Sequence, residues 1–223
     1  MDFTLLASLA AIHIIALISP GPDFAIIVKM ASQQSRQATV ACALGIAIAI
    51  LIHTLLSLLG ISLMIRQSPL AYTLVQCIGV SYLAWMGFQA LKSALSRFKS
   101  IAASTEQPTQ AFAADKHNTA SFGIFKGFKI GLLTNLLNPK ALIFFITLFT
   151  VLITPEVNLI TKIAATTLLF SLSLIWFSLL ALVLSKPLIK AKLLSVSHII
   201  DLLVGIIFIG VSATIAVSLI NDF

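Results

Sequence analysis

Ser19-Pro20-Gly21-Pro22-Asp23 breaks the first long apolar run of this 223-residue chain, and Asn138-Pro139-Lys140 breaks the fourth. Each proline lacks an N–H and its ring clashes with the carbonyl one turn back, so neither stretch continues as a regular helix. In hydrocarbon the freed carbonyls must find partners in protein, water or a ligand. An acid stands beside one break and a base beside the other, where an ionised side chain costs at least ~2.5 kcal/mol by insertion scales. The two breaks therefore read as two halves of one site.

Working outward, 59% of the residues are hydrophobic, 9% are charged and the mean hydropathy is +1.10, a composition for lipid rather than water. Six apolar stretches, roughly 3–30, 39–65, 69–91, 130–153, 159–184 and 198–220, each approach the ~20 residues a spanning helix requires. The expected fold is an all-α membrane protein of six transmembrane helices, with the first and fourth broken at the proline motifs. A net charge of +7 would suggest nucleic acid as a partner of a soluble chain. Here the basic residues gather in the connections after the first, third and fifth spans, among them Lys29, Arg36, Lys92, Lys126 and Lys190. The opposite side carries Arg66 and Lys162 alone. By the positive-inside rule both termini face the periplasm and the long connection is cytoplasmic. No nucleic-acid partner is expected, since no aromatic-rich basic patch or zinc-ligand spacing accompanies the charge. The first eighteen residues lack a basic n-region and no small-residue cleavage site follows, so no cleaved leader is expected. Cys42 and Cys77 fall at different depths of different spans, which argues against a disulfide.

Residues 93–121, rich in Ser, Thr, Gln and Ala, read as a linker between a three-helix unit over 1–92 and a second over 122–223. Three spans per unit force the second to enter the membrane with the opposite orientation, the pattern of an inverted repeat. A shift of 117 positions superposes Pro22-Asp23 on Pro139-Lys140.

Proline favours the first position of a helix, so Pro22 and Pro139 are expected to open new half-helices with Asp23 and Lys140 in their first turns. Two half-helix N-termini would then converge, each offering unpaired N–H groups and roughly half a positive charge to an anion such as a carboxylate. With Asp23 facing an ammonium and Lys140 near a carboxylate, a zwitterion is matched at both ends; the plainer alternative is an Asp23–Lys140 ion pair that locks the halves together. Pro20, Gly21, Asn135 and Asn138 complete the expected binding set, while Ser19 and Thr134 suit repair of broken backbone. His53, mid-span with Gly45 and Ala49 on a small-residue face before it, suits either a structural hydrogen bond or, with Asp23, proton coupling. Gln76 and Tyr82 are candidates to line the pathway, packing being their default role. Asp201 is expected to pair with Lys186, Lys190 or Lys192.

Taken together, Ser19-Pro20-Gly21-Pro22-Asp23, Gly45 with His53, the run from Gly79 to Gly87, Gly127, Asn135 and Asn138-Pro139-Lys140 resemble the LysE/RhtB family of amino-acid exporters. The resemblance implies a bacterial inner-membrane exporter of amino acids or close derivatives, driven by proton antiport. Alternating access about the two breaks would carry the cargo. It implies no cofactor, no metal and no enzymatic step, and no nucleophile–base pair or phosphate loop is present. Two other classes stay open on the residues: an exporter of divalent cations or other small solutes, and a passive channel. The number of copies in an assembly is not specified.

Overall fold

The computed structural model describes residues 2–103, 123–153, 157–184 and 197–221. Eight helices are found among them: α1 (Phe3–Ile18), α2 (Pro22–Gln33), α3 (Arg36–Gln67), α4 (Pro69–Ala103), α5 (Ile124–Leu136), α6 (Pro139–Leu152), α7 (Leu159–Val183) and α8 (Ser197–Asn221). Four of them, α3, α4, α7 and α8, are each long and apolar enough to cross a membrane. The pairs α1–α2 and α5–α6 turn by 53° and 59° at their breaks, and counting each pair as one span gives six. The expected all-helical membrane fold is observed, and Pro22 and Pro139 each open a helix as expected.

Two boundaries differ from those read in the sequence. α4 continues to Ala103, past residue 93 where the linker was expected to begin. Residues 93–103 contain neither glycine nor proline and several good helix formers, so nothing stops the helix at the membrane surface. The fourth span begins at Ile124 instead of 130, because Gly123 and not the later charged residues supplies the N-cap. Residues 104–122 of the expected linker, and Lys186, Lys190 and Lys192, lie outside the described residues.

α3 is the central post. In its apolar span 61% is buried, against 28% for each of α4, α7 and α8. The cause is a stripe of small residues. Gly127 and Gly131 of α5 lie against the carbonyls of Ala38 and Cys42 on α3, and Gly45 of α3 lies against the carbonyl of Phe128. Without side chains at these points the two backbones touch, which is how helices associate where lipid offers no hydrophobic drive. A second such contact joins α4 to α8, where a Cβ on Gly87 would stand 2.9 Å from the Gly205 carbonyl and one on Gly205 would stand 2.9 Å from that of Gly87. At one end of the bundle the Asp2 backbone N–H donates to Thr161 Oγ1 at 3.2 Å, so the starts of α1 and α7 share a face. Cys42 is buried and Cys77 exposed, and both are free thiols.

Candidate functional site

The two breaks meet. Ser19, Gly21, Pro22, Asp23, Asn135, Asn138 and Lys140 line one cavity of about 60 Å³, closed on its far side by His13, Leu17, Phe144, Phe145 and Phe177. Helix α3, by holding α5 at backbone contact, sets where α5 ends and so where Asn135 stands. Asn135 is buried, and its Nδ2 donates to Asp23 Oδ2 at 2.9 Å, tying the first break to the second. A carboxylate only accepts, so this bond fixes which way the amide points and leaves Asn135 Oδ1 turned elsewhere. Among the described residues neither Asn135 Oδ1 nor Asp23 Oδ1 has a hydrogen-bond partner. Two buried acceptors in one cavity without donors are costly, about 1–3 kcal/mol each, unless something else supplies N–H or O–H groups.

Lys140 does not close on Asp23. Among the described residues no salt bridge joins them; the Lys140 ammonium reaches Ser19 Oγ at 3.5 Å, and a Cβ on Gly21 would lie 3.6 Å from Nζ. The ammonium therefore stands over the first turn of α2. That helix end is open, because its N-cap is Gly21 and no side chain bonds its N–H groups. The other break differs: Asn138 caps α6, its Oδ1 accepting from the Lys140 backbone N–H at 3.0 Å. The convergent N-termini expected from the sequence are thus unequal, one free for an anion and one already capped by its own residue. Replacing Asn138 by alanine is expected to cost about 1 kcal/mol of stability through loss of this cap, read as a lower midpoint of thermal unfolding in detergent.

His53 stands behind the break and is not among the residues lining the cavity. Its Nε2 donates to the Asn135 carbonyl at 3.2 Å, and the same oxygen accepts the Asn138 N–H at 3.0 Å, so a carbonyl exposed by the broken helix has both lone pairs engaged. The imidazole lies flat on Phe145, ring centroids 5.9 Å apart and planes 8° from parallel. Glutamine at 53 can keep a donor near the Nε2 position and is expected to retain most activity. Alanine is expected to lower the unfolding midpoint, consistent with a lost net hydrogen bond of about 1 kcal/mol.

Gln76 and Tyr82 are not brought to this cavity. Gln76 Nε2 reaches the Thr150 carbonyl at 3.4 Å on the far half of α6, and Tyr82 packs on Trp85 with ring centroids 5.5 Å apart. The rotation of α4 is set by Gly79 against Thr147 and Gly87 against α8, which turns Met86, not Tyr82, into the cavity. Pro20 lines a second, larger space of about 350 Å³, together with Gln89, Ser93, Arg97 and Asp201. Ser19, Met86 and Lys140 border both spaces and form the partition between them. Asp201 is buried there, its Oδ2 accepting from Ser93 Oγ at 3.0 Å, and Lys140 interacts electrostatically with it as well as with Asp23. On the opposite side, Phe144 separates the central cavity from an apolar space of about 200 Å³ lined by Ile12, Leu83, Leu148 and Val211.

The residue that the sequence did not single out is His13. It is buried, lines the cavity, and bonds through Nε2 to Ser173 Oγ of α7 at 2.8 Å. Its ring also packs on Phe145, centroids 5.7 Å apart. A polar residue in the middle of an apolar helix was the available signal.

Comparison with known proteins fits this geometry. Over 214 residues the chain is 31% identical to the threonine efflux protein of Escherichia coli K12, covering 96% of the chain and 98% of that protein. The threonine efflux protein of Salmonella typhi is 31% identical over 212 residues, with 95% and 97% covered. An uncharacterized membrane protein of Haemophilus influenzae is 27% identical over 218 residues, with 98% and 99% covered. No solved structure is significantly similar. The family model described as LysE type translocator matches residues 14–219, and the chain belongs to that family.

Proposed function

We propose that this protein exports small neutral amino acids across the bacterial inner membrane, taking them as zwitterions into the cavity between the two breaks. The observation that carries this reading is the pair of opposite charges on one cavity that engage neighbours instead of each other. Asp23 Oδ1 and Asn135 Oδ1 offer two acceptors to an ammonium. Lys140 Nζ, poised over the uncapped start of α2, offers a cation and helix N–H groups to a carboxylate. The efflux activity named for the threonine relatives supports amino acids as cargo.

Cargo enters from the cytoplasm through the larger polar space, passes the Lys140–Ser19 partition and displaces that long bond. The bundle then exchanges access, opening the aromatic side, and a proton arriving from outside neutralises Asp23 and frees the ammonium. In this cycle Asp23 is the proton-coupling residue and His53 positions Asn135. The orientation follows the positive-inside rule, with both termini periplasmic. Among the described residues no three His, Cys, Asp or Glu side chains gather at one point, so nothing there favours the divalent-cation alternative.

The test is uptake of labelled amino acids into inside-out vesicles, where export becomes accumulation. Lys140→Ala is expected to lose transport of every amino acid by about tenfold or more, since it removes a charged partner of the backbone carboxylate common to all. Loss confined to acidic cargo would show instead that Lys140 reads side chains. Uptake that stops at equal concentrations on the two sides and is unchanged when the proton gradient is collapsed would identify a channel.

A further inference from the structure

We propose that His13 is the residue that reads the cargo side chain, accepting a hydrogen bond at Nδ1 from its hydroxyl. This rests on the amino-acid exporter reading and names the residue that gives it side-chain specificity.

The argument starts from one proton. Ser173 Oγ donates to the Leu169 carbonyl at 2.7 Å, one turn back in α7. A serine hydroxyl has a single proton, so toward His13, 2.8 Å away, Ser173 can only accept. On this network the hydrogen of the neutral imidazole is assigned to Nε2, which leaves Nδ1 a bare lone pair. That nitrogen has no partner within the protein, on a residue only 2% exposed. The sequestered acceptor is held rigidly, because Ser173 pins one edge of the ring while Phe144 and Phe145 pack against it at centroid distances of 6.4 and 5.7 Å.

Position supplies the second half. His13 precedes Ser19 by six residues, about 9 Å along α1, and Phe144 and Phe145 follow Lys140 by about 6–8 Å along α6. This end of the cavity lies away from the partition and from the charges that would hold the ammonium and carboxylate, so it receives the side chain. Its walls are Leu17, Phe144, Phe145 and Phe177, apolar apart from His13. Three aromatic rings, Phe144, Phe145 and Phe177, crowd this end, which favours a small side chain over a large one. A cationic side chain would meet one neutral acceptor among aromatics and stay uncompensated, and an amide would bring more polar groups than the wall can pair. A single hydroxyl matches a single lone pair.

The experiment is uptake by inside-out vesicles of threonine against its isostere valine, and of serine against alanine, with His13→Gln, His13→Asn and Ser173→Ala beside wild type. Glutamine can keep a donor toward Ser173 while its amide oxygen no longer stands at the Nδ1 position, whereas the asparagine amide oxygen can stand where Nδ1 stood. Wild type is expected to prefer the hydroxylated member of each pair by at least about tenfold. His13→Gln is expected to bring that ratio to within about twofold of unity while still transporting valine, His13→Asn to retain most of it, and Ser173→Ala to weaken it without abolishing transport. An unchanged ratio in His13→Gln overturns the proposal, as does absence of preference in a wild type that moves both members. A parallel fall in all four amino acids in both His13 variants overturns it too, marking a structural role. If the wild type moves none of the four while folded, the exporter reading itself falls and takes this proposal with it.

Discussion

Asp23→Asn is expected to abolish proton-driven accumulation of amino acids in inside-out vesicles while leaving the protein folded. The wild-type carboxylate accepts from Asn135 through Oδ2 and presents Oδ1 without a partner to the cavity. An asparagine can keep the first bond by turning its carbonyl oxygen to Asn135, but its NH₂ then points where Oδ1 was. A cargo ammonium would meet a donor instead of an ionised acceptor. Loss of a hydrogen bond to a charged group is worth about 1.5–3 kcal/mol, a fall of roughly ten- to a hundredfold in apparent affinity. The proton site disappears as well. Wild-type export should accelerate as the periplasmic side is acidified, because protonation of Asp23 from that side releases cargo, and the variant should show a flat profile. The measurement is initial uptake rate against imposed pH gradient, with the unfolding midpoint as the check on folding. Equal export with an unchanged pH profile would remove Asp23 from the coupling step.

The second large effect is expected far from any charge. Gly131→Ala should deplete folded protein from the membrane and lower the unfolding midpoint of what remains, because the added methyl has to occupy space held by the Cys42 carbonyl. Backbone cannot step aside as a side-chain tip can, so α3 and α5 must separate, at a cost of about 1–3 kcal/mol or more. Asn135 lies one turn beyond Gly131 on α5, so the survivors should also transport poorly as the Asn135–Asp23 bond lengthens. Gly60→Ala and Gly210→Ala are the controls. Among the described residues nothing lies within 4 Å of a Cβ at either position, and alanine favours helix, so both should be neutral or slightly stabilising. Measurement is by fluorescence-detected size exclusion and thermal unfolding across the three variants. Equal behaviour of Gly131→Ala and the controls would show that the α3–α5 contact is looser than described.

Much of this architecture was legible in the amino acids because lipid simplifies the rules. Long apolar runs give spans, and a proline pair around a glycine gives a break whatever its neighbours. Asp23 and Lys140 stood out because charge is rare at that depth. What could not be read was rotation and reach. Whether Tyr82 or Met86 faces the cavity depends on how Gly79 and Gly87 seat α4 against Thr147 and α8, contacts made across large sequence separations. His13 is tied to Ser173, 160 residues away, and no local spacing announces that pair. The inequality of the two helix starts was closer to hand. An asparagine directly before a helix-opening proline is a strong cap, whereas the glycine before Pro22 has no side chain with which to cap, and that contrast is present in the letters themselves.

The partition beside Lys140 has a physiological consequence. Toward the larger polar space the central cavity is bounded by Ser19, Met86 and Lys140, with Lys140 on Ser19 at 3.5 Å; on the other side Phe144 and Phe145 pack edge to face on each other and against His13. In the proposed orientation a cytoplasmic solute needs to move the Lys140–Ser19 tether and the flexible Met86, whereas a nutrient molecule in the medium faces packed aromatic rings. In that arrangement the outer barrier is the one that has to open before cargo can leave, so the idle protein does not leak the cell's own amino acids.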